Sequence, residues 1–204
     1  MSLKCVKKIL YIHGLESGPN GTKPSILRNY FEVSVPHMKH PYNIWQSMNL
    51  IIDNIYVFRP DIIVASSYGT IIAMLLMQFG VWTGPTLLLS TAMELFNHYR
   101  SWIPPQVSVL VIHGDHDTLC PTPRFTHRLI GDDHKLKSIC EGENPLLISY
   151  VQELSNNSFS SENSDCTQVN KPIIHPVSKF IIFIKLIYVI IEALFLQFLN
   201  LCDN

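Results

Sequence analysis

Short runs rich in Val, Ile and Leu, at Val6 to Ile12, Val33 to Val35, Ile62 to Ala65, Thr86 to Leu89 and Val107 to Ile112, alternate along the chain with longer stretches of helical spacing. Those stretches are Ile44 to Phe58, Thr70 to Phe79 and Ala92 to Trp102. Runs that are apolar at nearly every position suit strands buried on both faces rather than strands with one wet face. Alternation of strand and helix joins parallel strands through right-handed crossovers, so the expected fold class is α/β, a mostly parallel central sheet with helices on both faces. Ligands of such sheets gather at the C-terminal ends of the strands. The polar residues just after each run are therefore the first candidates for chemistry.

The chain of 204 residues is 47% hydrophobic and 15% charged, which is a globular composition. Fifteen Lys and Arg against sixteen Asp and Glu leave a formal charge of −1, and that balance argues against a nucleic-acid partner. The five cysteines, Cys5, Cys120, Cys140, Cys166 and Cys202, are odd in number and form no CxxC pair. They read as reduced thiols in a cytoplasmic protein rather than as a disulfide framework or zinc knuckle. Met1 to Lys8 is too short and polar for a signal peptide.

Composition divides the chain into a globular domain over 1–154, a Ser/Asn-rich linker over 155–178 and an apolar C-terminal helix over 179–204. The nineteen residues from Phe180 to Phe198 approach the ~20 needed to cross a bilayer, but Glu192 near their centre costs ~2.5–3.5 kcal/mol on insertion. Three readings of this segment stand: a tail anchor on a cytosolic membrane face, a packed helix with Lys185, Tyr188 and Glu192 on one polar stripe, and a non-native tail. A membrane-associated scaffold would follow from the first.

At the end of the third run, Ala65-Ser66-Ser67-Tyr68-Gly69 leads from strand into helix. This fits the G-x-S-x-G elbow, whose small flanking residues let a sharp turn bring strand and helix backbones together. Ala65 stands where the first glycine would be, Gly69 keeps the second, and Ser67 rather than Ser66 takes the nucleophile position. A Ser-rich helix cap is the plain alternative. The fifth run ends in His113-Gly114-Asp115-His116-Asp117, and Gly131-Asp132-Asp133-His134 follows. The order is nucleophile, acid, histidine.

With His13-Gly14-Leu15 after the first run, these motifs make residues 6 to about 154 resemble the α/β-hydrolase superfamily, in particular small serine esterases with little or no cap domain, the YqiA-like esterases. The resemblance implies a minimal α/β-hydrolase fold without a large cap and an esterase activity needing no cofactor. Ser67 would attack an acyl carbonyl, His134 would carry the proton, and Asp117 would orient His134. Asp115 is the other candidate acid; Asp117 is preferred because the family's carboxylate stands three residues after the loop glycine, here Gly114. The backbone N–H groups of Leu15 and Tyr68 would form the oxyanion hole. The implied partner is a small-molecule ester or thioester. A non-catalytic hydrolase-fold binding protein with a damaged triad is the alternative.

That alternative has one support in the sequence. If Arg128 to Ile130 form the last strand, Thr118 to His127 must cross the sheet in about ten residues, and Pro121 and Pro123 interrupt any helix there. Either the crossover is a tight loop or a segment has been lost, which would misplace His134. Other patterns are weaker. His37 with His40 and His113 with His116 have metal-like spacing but lack a third ligand cluster, so no metal is expected. Gly14, Gly18 and Gly21 match neither a dinucleotide fingerprint nor a P-loop. Cys120 reads as a packed thiol, His13 and His113 as structural strand-end histidines, and Trp45, Met48, Ile51, Ile52 and Ile55 as one helix's core stripe.

Overall fold

The computed structural model describes residues 7–39, 43–95 and 102–157. The strands are β1 (Lys8–Ile12), β2 (Glu32–Ser34), β3 (Ile62–Ser66), β4 (Thr86–Leu89), β5 (Val109–Gly114) and β6 (Arg128–Ile130). The helices are α1 (Thr22–Arg28), α2 (Ile44–Phe58), α3 (Tyr68–Gln78) and α4 (Leu146–Asn157). The strands form one sheet in the order β2-β1-β3-β4-β5-β6, and every pairing is parallel. The expected α/β architecture is what the chain adopts.

Register explains why the strand ends meet. Ile12 lies opposite Ala65, Ser66 opposite Leu89, Leu89 opposite Ile112, and Gly114 opposite Ile130. The loops after β1, β3, β4, β5 and β6 therefore leave the sheet at one edge. The chain moves from β1 outward to β2, then returns past β1 to β3, so the order reverses between β1 and β3. This is the crevice where open α/β sheets take their ligands. Because crossovers are right-handed, the reversal puts α1 on the opposite face from α2 and α3. Accordingly α1 packs with α4, and α2 packs with α3.

Alternate strand residues feed the two faces. Ile9, Tyr11, Ile62, Val64, Leu87, Leu89, Leu110 and Ile112 join Leu147, Val151 and Leu154 of α4 in one buried cluster. Leu10, Ile12, Ile63, Leu88 and Val111 alternate with them and are equally buried. α2 has the bounds its spacing predicts. Asn43 caps it, the side chain accepting the Gln46 N–H at 3.0 Å, and Arg59 at φ 53° ends it before Pro60. Its buried face is Met48, Ile51, Ile52 and Ile55, with Trp45 only partly covered.

Three elements differ from the sequence expectation. Of the stretch from Ala92 to Trp102, the described part contains a single 3₁₀ turn, Met93–Leu95, and residues 96–101 lie outside the description. α1 went unforeseen because seven residues containing Pro24 carry little periodic signal; Pro24 is tolerated in the first turn, where backbone N–H groups lack intrahelical partners. The C-terminal boundary also shifts, since α4 continues through Asn157 into the stretch expected to be linker. The apolar side of α4 anchors that last turn through Val151 and Leu154. The rest of the expected linker and the apolar segment 179–204 lie outside the described residues.

Candidate active site

Ser67 sits between β3 and α3 with φ 52° and ψ −124°, a backbone conformation that few residues other than glycine adopt. Its surroundings hold it there. The Ser67 N–H donates to the Leu89 carbonyl at 2.9 Å, and its own carbonyl accepts from the Thr70 N–H at 2.9 Å and the Thr70 hydroxyl at 2.6 Å. A Cβ on Gly69 would lie 2.2 Å from the Ile12 carbonyl oxygen, so the second small residue of the elbow must be glycine. Ala65 is fully buried, and its methyl group fits where the motif usually has the other glycine. Ser66 turns elsewhere, hydrogen-bonding the buried Tyr11 phenol. Burial, the larger effect, pushes the Tyr11 pKa upward despite that bond.

Asp117 and His134 arrive on the two neighbouring loops. His134 Nε2 lies 2.8 Å from Ser67 Oγ, and His134 Nδ1 lies 2.7 Å from Asp117 Oδ2. A neutral ring fits both contacts, donating Nδ1–H to the carboxylate and accepting the Ser67 hydroxyl proton at Nε2. The Asp117 side chain is fully buried, and its Oδ1 accepts the N–H groups of Leu119 and Cys120, each at 2.9 Å. Burial works against its charge, but the Cys120 N–H, the His134 ring and the Leu119 N–H outweigh it and hold the carboxyl below its usual value. Asp115, the other candidate acid, is substantially exposed and lies 3.5 Å from the His116 ring instead.

The connection of ten residues before β6, Thr118 to His127, contains no helix. It is a tight loop held at both ends. The His127 N–H donates to the Val111 carbonyl at 3.1 Å, and the Val111 N–H donates to His127 Nδ1 at 3.2 Å. At the other end His113 Nε2–H donates to the Cys120 carbonyl at 3.1 Å. Past β6, the N–H groups of Asp115 and His116 reach the carbonyls of Ile130 and Asp132, at 3.0 and 3.1 Å. A Cβ on Gly114 would lie 2.3 Å from the Asp132 carbonyl oxygen, so this glycine lets the acid loop and histidine loop touch.

Ser90 was not anticipated as part of the site. Fully buried just after β4, at φ 46°, it donates its hydroxyl to the His134 carbonyl at 2.8 Å. The polar pair Ser90-Thr91 directly behind an apolar strand was the signal available. Thr91 shares a 3.1 Å hydrogen bond with Thr70, tying the same loop to α3.

Leu15 and Tyr68 flank the serine from two sides. Tyr68 opens α3 directly after Ser67, so its N–H belongs to the helix N-terminus. Leu15 follows Gly14, where a Cβ would stand 3.0 Å from Ser67 Cβ. The Leu15 loop is pinned by His13, whose Nδ1–H donates to the Gly14 carbonyl at 2.8 Å and whose Nε2 accepts the Met38 N–H at 3.2 Å. His13 and His113 both hydrogen-bond at strand ends. The ring of His13 stacks on that of His37, 6.0 Å away, while His40 lies outside the described residues. His113 is buried and the His116 side chain is largely exposed. Among the described residues, ligand atoms of Asp117, Cys120 and His134 do come within 4.8 Å of one another. Asp117 and His134, however, already hydrogen-bond each other and the groups named above. Burial raises the Cys120 thiol pKa to about 11, so the thiol stays protonated at neutral pH.

No family profile matches the sequence, and no curated protein does. Solved structures do. Alpha/beta hydrolase domain-containing protein 10 from mouse superposes with a TM-score of 0.56 at 14% identity, over 74% of this chain and 90% of that one. A protein from Xanthomonas campestris described as a hydrolase of the alpha/beta superfamily gives 0.55 at 17% identity, over 74% and 98%. Est1E from Butyrivibrio proteoclasticus gives 0.50 at 14%, over 76% and 88%. The chain has the α/β-hydrolase fold.

Proposed function

We propose that this protein is a serine hydrolase that cleaves a small carboxylic ester or thioester through an acyl-enzyme. The observation that carries the reading is the unbroken line from Ser67 Oγ through His134 to Asp117, with contacts of 2.8 and 2.7 Å. Ser67 Oγ attacks the acyl carbonyl as His134 Nε2 takes its proton. Asp117, kept ionised by its N–H donors, stabilises the imidazolium. The oxyanion that forms accepts hydrogen bonds from the Leu15 and Tyr68 N–H groups; losing one such donor typically costs 10²–10³ in rate. His134 then protonates the departing alkoxide or thiolate, leaving an ester on Ser67. Water, deprotonated by His134, attacks that ester, releases the acid and restores the serine.

Only 49 residues separate Ser67 from Asp117, and α3, β4 and β5 with their connections lie among them, which leaves little length for a large lid. Short or soluble acyl groups suit such a site. The binding-protein alternative rested on the short crossover, and that loop leaves His134 in hydrogen-bonding reach of both partners.

A fluorophosphonate tests the reading without a guess at substrate. The expected result is covalent modification of the full chain at Ser67, mapped by mass spectrometry and lost in Ser67→Ala and His134→Ala. A folded protein that remains unmodified overturns it.

A further inference from the structure

His113 is a fully buried histidine that the proposed reaction does not use. Its Nε2 lies 3.1 Å from the Cys120 carbonyl and 3.3 Å from Asp117 Oδ2, so two oxygens face this one nitrogen. Nδ1, on the other side of the ring, is buried with no hydrogen-bond partner among the described residues. These surroundings choose the tautomer. With the proton on Nδ1, an Nε2 lone pair would confront a carbonyl and a carboxylate while a donor was stranded in the core. With the proton on Nε2, only an acceptor goes unpaired, the milder loss. An apolar residue of similar size would avoid even that, so the polar ring needs a reason at its Nε2 edge.

We propose that His113 is a positioning residue for the catalytic acid, an inference that rests on the hydrolase reading above. It acts in two ways. By holding the Cys120 carbonyl it fixes the turn whose Leu119 and Cys120 N–H groups grip Asp117 Oδ1. By presenting the positive edge of its N–H 3.3 Å from Oδ2, it steadies the oxygen that His134 Nδ1 must meet. Asp117 Oδ2 thus meets two histidines: His134, which takes and returns the proton of the proposed reaction, and His113, which takes no part in the proton transfer. Cys120, close by, stays a neutral thiol.

The test compares the rate of fluorophosphonate labelling in the full chain with His113→Leu, which removes the donor, and His113→Gln, whose amide N–H replaces it. The expected result for His113→Leu is a fall of about tenfold in the maximal labelling rate, with the half-saturating probe concentration unchanged. His113→Gln recovers most of that loss. Wild-type labelling by His113→Leu, or a His113→Gln variant as slow as a folded His113→Leu, overturns the proposal. A second measurement needs no variant to fold. Nitrogen NMR of the wild-type histidine rings is expected to find His113 with its proton on Nε2 and none on Nδ1, and the opposite tautomer overturns the proposal. A wild-type chain that does not label overturns the hydrolase reading and, with it, a catalytic role for His113; the tautomer then still decides the contact geometry separately.

Discussion

Single atoms decide the geometry around Ser67. Gly69→Ala puts a methyl group 2.2 Å from a backbone oxygen of β1, where neither neighbour is a flexible side chain. The expected loss is roughly 3 kcal/mol or more, read from urea denaturation, and labelling of Ser67 should disappear with it. Ala65→Gly, which restores the other motif position, should cost only about 0.5–1 kcal/mol because it adds backbone freedom and removes a buried methyl. His13 supplies a pH dependence. Burial chiefly, with His37 adding to it, lowers its pKa below 6.5 against the opposing pull of the Gly14 carbonyl. A histidine depressed on folding contributes stability that is fully present above its unfolded value and is lost as pH falls through the folded value. Protonation also removes the acceptor of the Met38 N–H. The melting temperature should therefore drop as pH is lowered below about 6.5, and His13→Gln should drop less over the same interval. Identical slopes for the two proteins would refute this assignment. Ser67, His134 and two candidate acids, with Asp117 preferred to Asp115, could be proposed from the sequence because the motifs of the resemblance set them at short offsets from a glycine. Ser90 could not, since its partner is a backbone carbonyl 44 residues away in the chain.

At the scale of elements, strands were the most legible part, because a strand covered on both faces must be apolar throughout. α2 was legible too, with a full stripe of buried residues between Asn43 and Pro60. α1 and the turn at Met93–Leu95 were not, since short helical pieces are chosen by what they pack against rather than by period. The β5 to β6 connection shows why length alone misleads. A crossover of ten residues has no room for a helix, yet His127, Cys120 and Gly114 hold the loop so that β6 pairs in parallel. Ser90 joins β4 to the histidine loop, and Ser90→Gly removes its hydroxyl while accepting the φ of 46°. A hydrogen bond worth about 1 kcal/mol predicts labelling roughly fivefold slower and a loss of stability of about 1 kcal/mol or somewhat more in urea denaturation. Unaltered labelling would mean that the His134 loop is held by its other bonds alone.

Across the whole molecule, the cluster beneath α4 draws on β1, β3, β4 and β5, so α4 closes one face of the domain. Leu147 is fully buried in it, and Leu147→Ala should cost about 2–5 kcal/mol in denaturant unfolding. The site lies at the strand ends rather than within that cluster, so the labelling rate well below the melting transition should stay near wild type. Among the described residues no helix is long and apolar enough to cross a membrane. The sequence by itself determined the α/β class, the elbow and the chain order of serine, acid and histidine, because these depend on local pattern and on backbone constraints within a few residues. Only the tertiary structure decided which of Asp115 and Asp117 faces His134, and that a loop of ten residues suffices to bring His134 to Ser67. Both depend on strand register and on contacts between loops remote in sequence, which no local pattern encodes.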